Sequence, residues 1–392
     1  MIWYSKELYI LNKKICVITG TRANYGRLKP IMKEIINSNK LELSVVVTGM
    51  HLIRECGYTV TEIEKDGFII DAKVDMHLAN LNEAGMCKSL GIALLGLTQA
   101  IESIKPDVIL ILGDRDEDLA GAIIGAHMNI PVAHIHGGEV TGTVDEIIRH
   151  GITKFSHIHF PATENSKERI IKLGENPDYV YNVGSPGLDS ILNREYKTKK
   201  DIFKKYGLSM KKKLIILSQH PVTTEADKSG DQIRKTLEAV KRIGEQVILI
   251  YPNSDAGSRK IVDVIKEYEK LEFINSYMNI PFEDFLNLLK YTDVMVGNSS
   301  SGIMEAPSFK VPVVNVGTRQ NGRECSTNLL NVSYNEEEIY MAIHKSLYDE
   351  SYINEVNKCI NPYGDGKTGK RIVEILESLT ISRNLVQKRI NY

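Results

Sequence analysis

VILILGDRDEDLAGAIIGAHMNIPVAHIHGGE, residues Val108–Glu139, is the stretch on which the fold class turns. An apolar run rich in branched side chains (Val108–Gly113) ends in a charged turn. A helix-like segment follows (Asp118–Met128), and a second apolar run (Pro131–His136) closes the unit. Short apolar runs separated by helix-length segments argue for parallel strands covered by helices. The alternation continues in both directions. Lys14–Gly20, Leu43–Thr48 and His157–Pro161 read as strands, and Leu28–Asn37 and Asn82–Ile104 as helices. Around Asn182–Lys200 the pattern breaks, with Gly184, Pro186 and Gly187 ahead of a charged run. A second series then runs through Lys213–Ser218, Gln246–Tyr251, Leu271–Asn275, Asp293–Gly297 and Val311–Val316. The expectation is an α/β protein of two Rossmann-like domains, residues 1–185 and 186–366, with a cleft between them. Lys367–Gln387 reads as one long helix, and the segment 367–392 is expected to pack back on the first domain.

Composition sets bounds on function. The 392 residues suit two α/β cores, and 42% hydrophobic with 25% charged residues is the balance of a well-packed soluble chain. Lys plus Arg (49) nearly cancel Asp plus Glu (50), which gives no general attraction to nucleic acid or to a membrane surface. No apolar run near twenty residues and no cleavable leader is read, so a cytoplasmic protein is expected. The five cysteines are scattered without C-x-x-C spacing, which suggests neither a zinc finger nor a disulfide framework.

In parallel sheets, ligands bind beyond the carboxyl ends of the strands, and there the unusual residues gather. Gly20–Gly26 follows the first strand and carries Arg22, whose guanidinium suits phosphate; the plainer reading is a surface arginine. Gly297-Asn298-Ser299-Ser300-Ser301-Gly302 offers hydroxyls and backbone N–H groups to an anion, and Glu305 could accept from a ribose diol. A capped helix without ligand is the alternative there. Gly113-Asp114-Arg115 places an acid beside a cation, while Asp116, Glu117 and Asp118 read as charge on a helix N-terminus. His134, His136, His157 and His159 form two H-x-H pairs, each expected on one strand face. They invite a metal, but no closing ligand spacing supports one, and no metal site is expected. Glu139, Asp145 and Glu146 supply carboxylates just past the strand. His220 and Asn253 follow the first two strands of the second series, and Arg319 follows its last.

Together the Gly113-Asp114-Arg115 run, the stretch from His134 to Thr143 with Asp145 and Ile148-Arg149-His150, the Gly297–Gly302 loop with Glu305, and Gly317-Thr318-Arg319-Gln320 resemble the hydrolysing UDP-N-acetylglucosamine 2-epimerases of sialic acid biosynthesis. The resemblance runs from about Lys14 to Val332 with all motifs in order. It implies a glycosyltransferase-B-type fold, a homodimer or homotetramer, no cofactor, and a UDP-sugar as the partner molecule. It implies release of UDP and N-acetylmannosamine through a 2-acetamidoglucal intermediate. Arg22, Arg115, His220, Asn253, Ser299, Ser300, Glu305 and Arg319 match positions that hold UDP. Asp114, Glu139 and Asp145 match or adjoin acid–base positions, and His136 stands where some relatives carry a glutamate. Other readings compete. The same reaction could act on UDP-2,4-diacetamido-2,4,6-trideoxyglucose or GDP-N-acetylglucosamine. A non-hydrolysing epimerase, a glycosyltransferase with the same fold and a non-catalytic nucleotide-sugar binder are the rest.

Overall fold

The protein is described here from a computed structural model covering residues 12–54, 58–78, 83–140, 144–252 and 257–391. The chain forms two compact units, Met1–Leu192 with Tyr363–Tyr392, and Asn193–Pro362. In the first unit six parallel strands are β1 (Lys13–Thr19), β2 (Leu41–Thr48), β3 (Ala72–Val74), β4 (Val108–Leu112), β5 (Val132–Ile135) and β6 (Ile158–Phe160). They lie in the order β3-β2-β1-β4-β5-β6. The second unit holds β7 (Leu214–Ser218), β8 (Gln246–Ile250), β9 (Ile274–Tyr277), β10 (Val294–Gly297), β11 (Val313–Val316) and β12 (Leu329–Val332), ordered β12-β11-β10-β7-β8-β9. Counted within each unit, both orders are 3-2-1-4-5-6, the doubly wound Rossmann arrangement. Each sheet therefore reverses direction between its first and fourth strands, at β1/β4 and at β7/β10.

Both faces of each sheet are covered, as a parallel sheet requires. Along β1, Ile15 and Val17 enter one core with Leu28, Ile31, Met32 and Ile35 of the helix Arg22–Asn37. Cys16 and Ile18 point the other way, into a core with Ala93, Leu97 and Ile101 of the helix Glu83–Ile104. That helix departs from expectation, since Ala84–Ile104 is long and apolar enough to cross a membrane by length and composition alone. Its three fully buried positions, spaced by four, make it a covering helix of the first sheet.

Other boundaries also differ. β3 and β12 were not expected; both are short edge strands whose side chains carry little alternating pattern. β9 begins three residues later than Leu271. The first unit runs to Leu192 rather than residue 185 because the helix Pro186–Leu192 packs against the helix Arg22–Asn37. Its Asp189 accepts from the backbone N–H groups of Thr368 (3.0 Å) and Gly369 (2.6 Å), which fixes the chain's return. The C-terminal stretch is not one helix. Thr368–Ser378 ends where Lys13 Nζ takes the carbonyls of Leu376 and Leu379, each at 2.6 Å. Leu379 turns extended, and a short helix, Arg383–Val386, restarts from the Ser382 cap. Ile372, Val373, Leu376 and Leu385 enter the first unit's core.

Candidate functional site

In the first unit, the turn after β4 is tied to both neighbouring strand ends. Asn24, one turn into the helix after β1, donates from Nδ2 to the Leu112 carbonyl at 2.7 Å. His134 on β5 lies 2.7 Å through Nε2 from the Gly113 carbonyl. Burial drives His134 down to about 3, so the ring is neutral and donates there. Asp114 thus stands on an anchored turn. Its carboxylate forms a short ion pair with Arg149, whose side chain is only 4% exposed. The same guanidinium donates to the Glu139 carbonyl at 2.9 Å. A buried arginine needs such partners, and here they are the backbone and side chain of two candidate acids.

β5 stops at Ile135. His136 adopts a left-handed backbone (φ 64°), and its Nδ1 lies 3.1 Å from Glu139 Oε1. The strand-face expectation therefore fails: His134 points into the core, while His136 turns to Glu139. Gly138 (φ 76°) makes the turn possible, because a Cβ there would sit 2.3 Å from the Ser166 carbonyl oxygen. The second H-x-H pair stays on one face, His157 Nε2 lying 3.2 Å from the Val386 carbonyl and His159 Nε2 3.3 Å from Glu175, which also binds Lys388. His159 lies within β6, while His157 precedes it and receives the Val132 N–H at 3.1 Å. Among the described residues, no three His, Cys, Asp or Glu side chains gather as metal ligands. Asp145 lies exposed in the first turn of the helix Val144–Phe155, one turn before Arg149.

Around the β1 loop, Thr21 caps the helix by accepting from Asn24 N–H at 3.2 Å. Arg22 is 74% exposed and its Nε meets Glu62 at 3.2 Å, so in this structure it holds a carboxylate. Arg115 Nε reaches Glu117 Oε1 at 3.3 Å, and Glu117 is buried against Gly20. Asp118 is wholly buried, accepts from Arg115 N–H at 3.4 Å, and is pushed upward by burial and then by Glu117. Asp116, Glu117 and Asp118 thus stand in the first turn of the helix Asp116–Met128, as the reading of charge on a helix N-terminus has it, with Glu117 and Asp118 buried.

In the second unit, the loops after β7 and β10 interlock. Asn298 Oδ1 accepts from His220 N–H at 2.6 Å, and Asn298 Nδ2 donates to the His220 carbonyl at 2.9 Å. Gly297 (φ 122°) passes so close to β7 that a Cβ would lie 2.1 Å from the Ser218 carbonyl oxygen. Arg319 (3.2 Å) and Gln320 (2.8 Å) both donate to the Asn298 carbonyl. Ser299 Oγ accepts from Ser301 N–H at 3.4 Å at the head of a single helical turn, Ser301–Met304, and Glu305 follows it. His220, Ser299, Ser300 and Arg319 therefore share one strand-end locale. Asn253 lies outside the described residues.

Both loop sets sit at the reversal point of their sheet, where Rossmann-type sheets receive ligands. Arg149, Asn298 and Gln320 hold these loops, although the sequence, which places all three in its motifs, assigned none of them a role. Arg149 had a legible signal, standing one helical turn after Asp145 and hence on the same face.

Residues 33–377 match the family described as UDP-N-acetylglucosamine 2-epimerase. The chain is 43% identical over 378 residues to a protein of Legionella pneumophila named UDP-N,N'-diacetylbacillosamine 2-epimerase (hydrolyzing), covering 96% of this chain and 98% of that one. It is 36% identical over 378 residues to the UDP-N-acetylglucosamine 2-epimerase of Neisseria meningitidis, covering 96% and 98%. The fold is similar to a crystal structure of the Neisseria meningitidis UDP-GlcNAc 2-epimerase bound to UDP-GlcNAc, with a TM-score of 0.75, 22% identity, and 93% and 99% of the two chains covered.

Proposed function

This chain belongs to the UDP-N-acetylglucosamine 2-epimerase family, and from that premise we propose that it cleaves UDP from a UDP-linked 2-acetamido sugar with inversion at C2 and uptake of water. The observation that carries the reading is Arg149 held between Asp114 and the Glu139 carbonyl, with His136 against the Glu139 carboxylate. A nucleotide-sugar binder has no use for two acids held this firmly, and an acceptor-dependent transferase has no need to move a C2 proton. A named relative of the hydrolysing type, alike over nearly the whole chain, supports the hydrolytic outcome.

The C2 proton is weakly acidic, so its removal is coupled to departure of UDP. As the C1–O bond breaks, a carboxylate takes the C2 proton and a C1–C2 double bond forms, giving a 2-acetamido glycal and UDP. Water then adds its oxygen to C1, and C2 receives a proton on the opposite face. Two proton carriers are required, and we assign Asp114 and the Glu139–His136 pair, with Asp145 as a further acid. His220, Ser299, Ser300 and Arg319 are assigned to the pyrophosphate, where negative charge grows as the bond breaks. Arg22 exchanges Glu62 for a phosphate, Arg115 and Asn253 add contacts, and Glu305 takes the ribose hydroxyls.

UDP-N,N'-diacetylbacillosamine, which is UDP-2,4-diacetamido-2,4,6-trideoxyglucose, is favoured as substrate by the 43% identity to a relative named for it. UDP-N-acetylglucosamine is the second reading, supported by the 36% relative. A homodimer or homotetramer belongs to the same reading. Met86 and Leu95 on the helix Glu83–Ile104, and Ile147 on the helix Val144–Phe155, are more than half exposed. Light scattering of the eluting protein gives the count, and a monomer at micromolar concentration ends that part of the reading.

The test is proton NMR of both sugars in deuterated water without added metal. Free 2-epimerised sugar carrying deuterium at C2, together with UDP, is expected. A UDP-linked epimer instead identifies the non-hydrolysing reaction. UDP binding without turnover of either sugar overturns the proposal.

A further inference from the structure

Opposite in sequence to the acids stands a lysine that the mechanism does not use. Lys388 follows the short C-terminal helix, and its ammonium enters the body of the first unit. It donates to the Ser156 carbonyl at 2.6 Å, the Thr153 carbonyl at 3.3 Å and Glu175 Oε2 at 2.6 Å. Thr153 and Ser156 are at the C-terminal end of the helix Val144–Phe155, where carbonyls lack partners within the helix and a cation is favoured. Asp145 and Arg149 ride on that same helix, and Arg149 holds Asp114 and the Glu139 carbonyl.

A second route leads from Lys388 to the same turn. Glu175, buried, also binds His159 Nε2 at 3.3 Å. His159 pairs in register with His134 across β5 and β6, so the two buried rings stand side by side on one face of the sheet. His134 in turn holds the Gly113 carbonyl, next to Asp114. Glu175, His159, His134 and Arg149 along these routes are all buried.

We propose that Lys388 is a positioning residue for the acid–base groups, holding the helix Val144–Phe155 at one end so that Arg149 keeps Asp114 and Glu139 in register at the other. This rests on the reaction proposed above. A misplacement of about 1 Å at reacting groups can cost on the order of 100-fold in rate, so partial loosening at this distance is expected to cost about tenfold.

The experiment compares Lys388→Met with the natural protein in three readouts: kcat and KM on the UDP-sugar, UDP affinity by calorimetry, and amide exchange by mass spectrometry. The expected result is a kcat about tenfold lower, KM and UDP affinity within twofold, and faster exchange at Gly113–Arg115 and Glu139. A purely structural tether predicts unchanged kcat in the folded fraction and faster exchange confined to residues 150–175 and 383–391; either finding overturns the proposal. If the natural protein turns over no UDP-sugar, the reaction reading falls and the exchange pattern alone decides this one. Should Lys388→Met not fold, Glu175→Gln, which keeps the two carbonyl bonds of Lys388, is read by the same criteria.

Discussion

Arg149 and Asp114 illustrate how one side chain can decide both stability and chemistry. Replacing Arg149 with Met leaves the Asp114 carboxylate, about a quarter exposed, without its cation and the Glu139 carbonyl without its donor. The expected loss is about 2–3 kcal/mol, below the range for a fully enclosed pair because water reaches Asp114. Denaturant titration measures it, and adding Asp114→Asn should recover part of the loss, since the uncompensated charge is gone. Asp114→Asn alone should retain UDP affinity while kcat falls by roughly 100-fold or more, the scale of a lost proton carrier. Turnover within a few-fold of normal removes Asp114 from the mechanism. At this scale the sequence was partly legible: Asp114, His136, Glu139, His220 and Arg319 all belong to the two strand-end locales. Arg22 shows the limit. Its position was readable, but its engagement with Glu62 joins residues forty apart, and no local pattern carries such a pairing.

The elements that deliver these residues depend on backbone approaches that few side chains tolerate. β10 ends on Gly297, where the chain turns left-handed directly over β7. An alanine there would meet a backbone carbonyl, which cannot swing aside. Gly297→Ala is expected to cost on the order of 2–3 kcal/mol and to weaken UDP binding, because the Asn298 bridge to His220 moves with it. A Tm within a degree or two of the parent, with unchanged UDP affinity, would contradict this. Strand existence was legible wherever both faces are buried, since β1, β4, β5, β7, β8, β10 and β11 read as continuous apolar runs. β3 and β12 escaped because an edge strand buries less and needs less pattern. The C-terminal break escaped for another reason. Thr368–Ser378 is ended by Lys13, from the opposite end of the described chain, and periodicity cannot report a contact of that kind.

At the scale of the whole molecule, histidines of the first unit are shifted by burial. His51 and His157 are brought down to about 4 and His134 to about 3, each chiefly by loss of hydration. A histidine of ordinary value near 6.5 in the unfolded chain thus stays neutral when folded. Stability from these groups is complete above about pH 6.5 and is lost as pH falls from there towards 4 and 3. Glu175 adds a later loss. Burial raises its carboxyl, but His159, Lys154 and Lys388 outweigh this and bring it down to about 2, so its contribution fades between about pH 4.5 and 2. Calorimetry from pH 7.5 to 5 should show the first unit melting progressively earlier, by about 1–2 kcal/mol per shifted histidine at pH 5. An unchanged transition for that unit down to pH 5 would contradict it.

The first unit is interrupted in sequence, since Asn193–Pro362 lies between its two parts. During synthesis, a growing chain exposes its segments in order, and domains fold as their residues emerge. The six strands of the first sheet leave the ribosome early, yet Thr368–Ser378 and Lys388 follow only after every strand of the second sheet has been made. The second unit, begun later, can therefore be finished first. The helix Val144–Phe155 must wait, with its last carbonyls open to water, until Lys388 arrives to close the unit that was started before it.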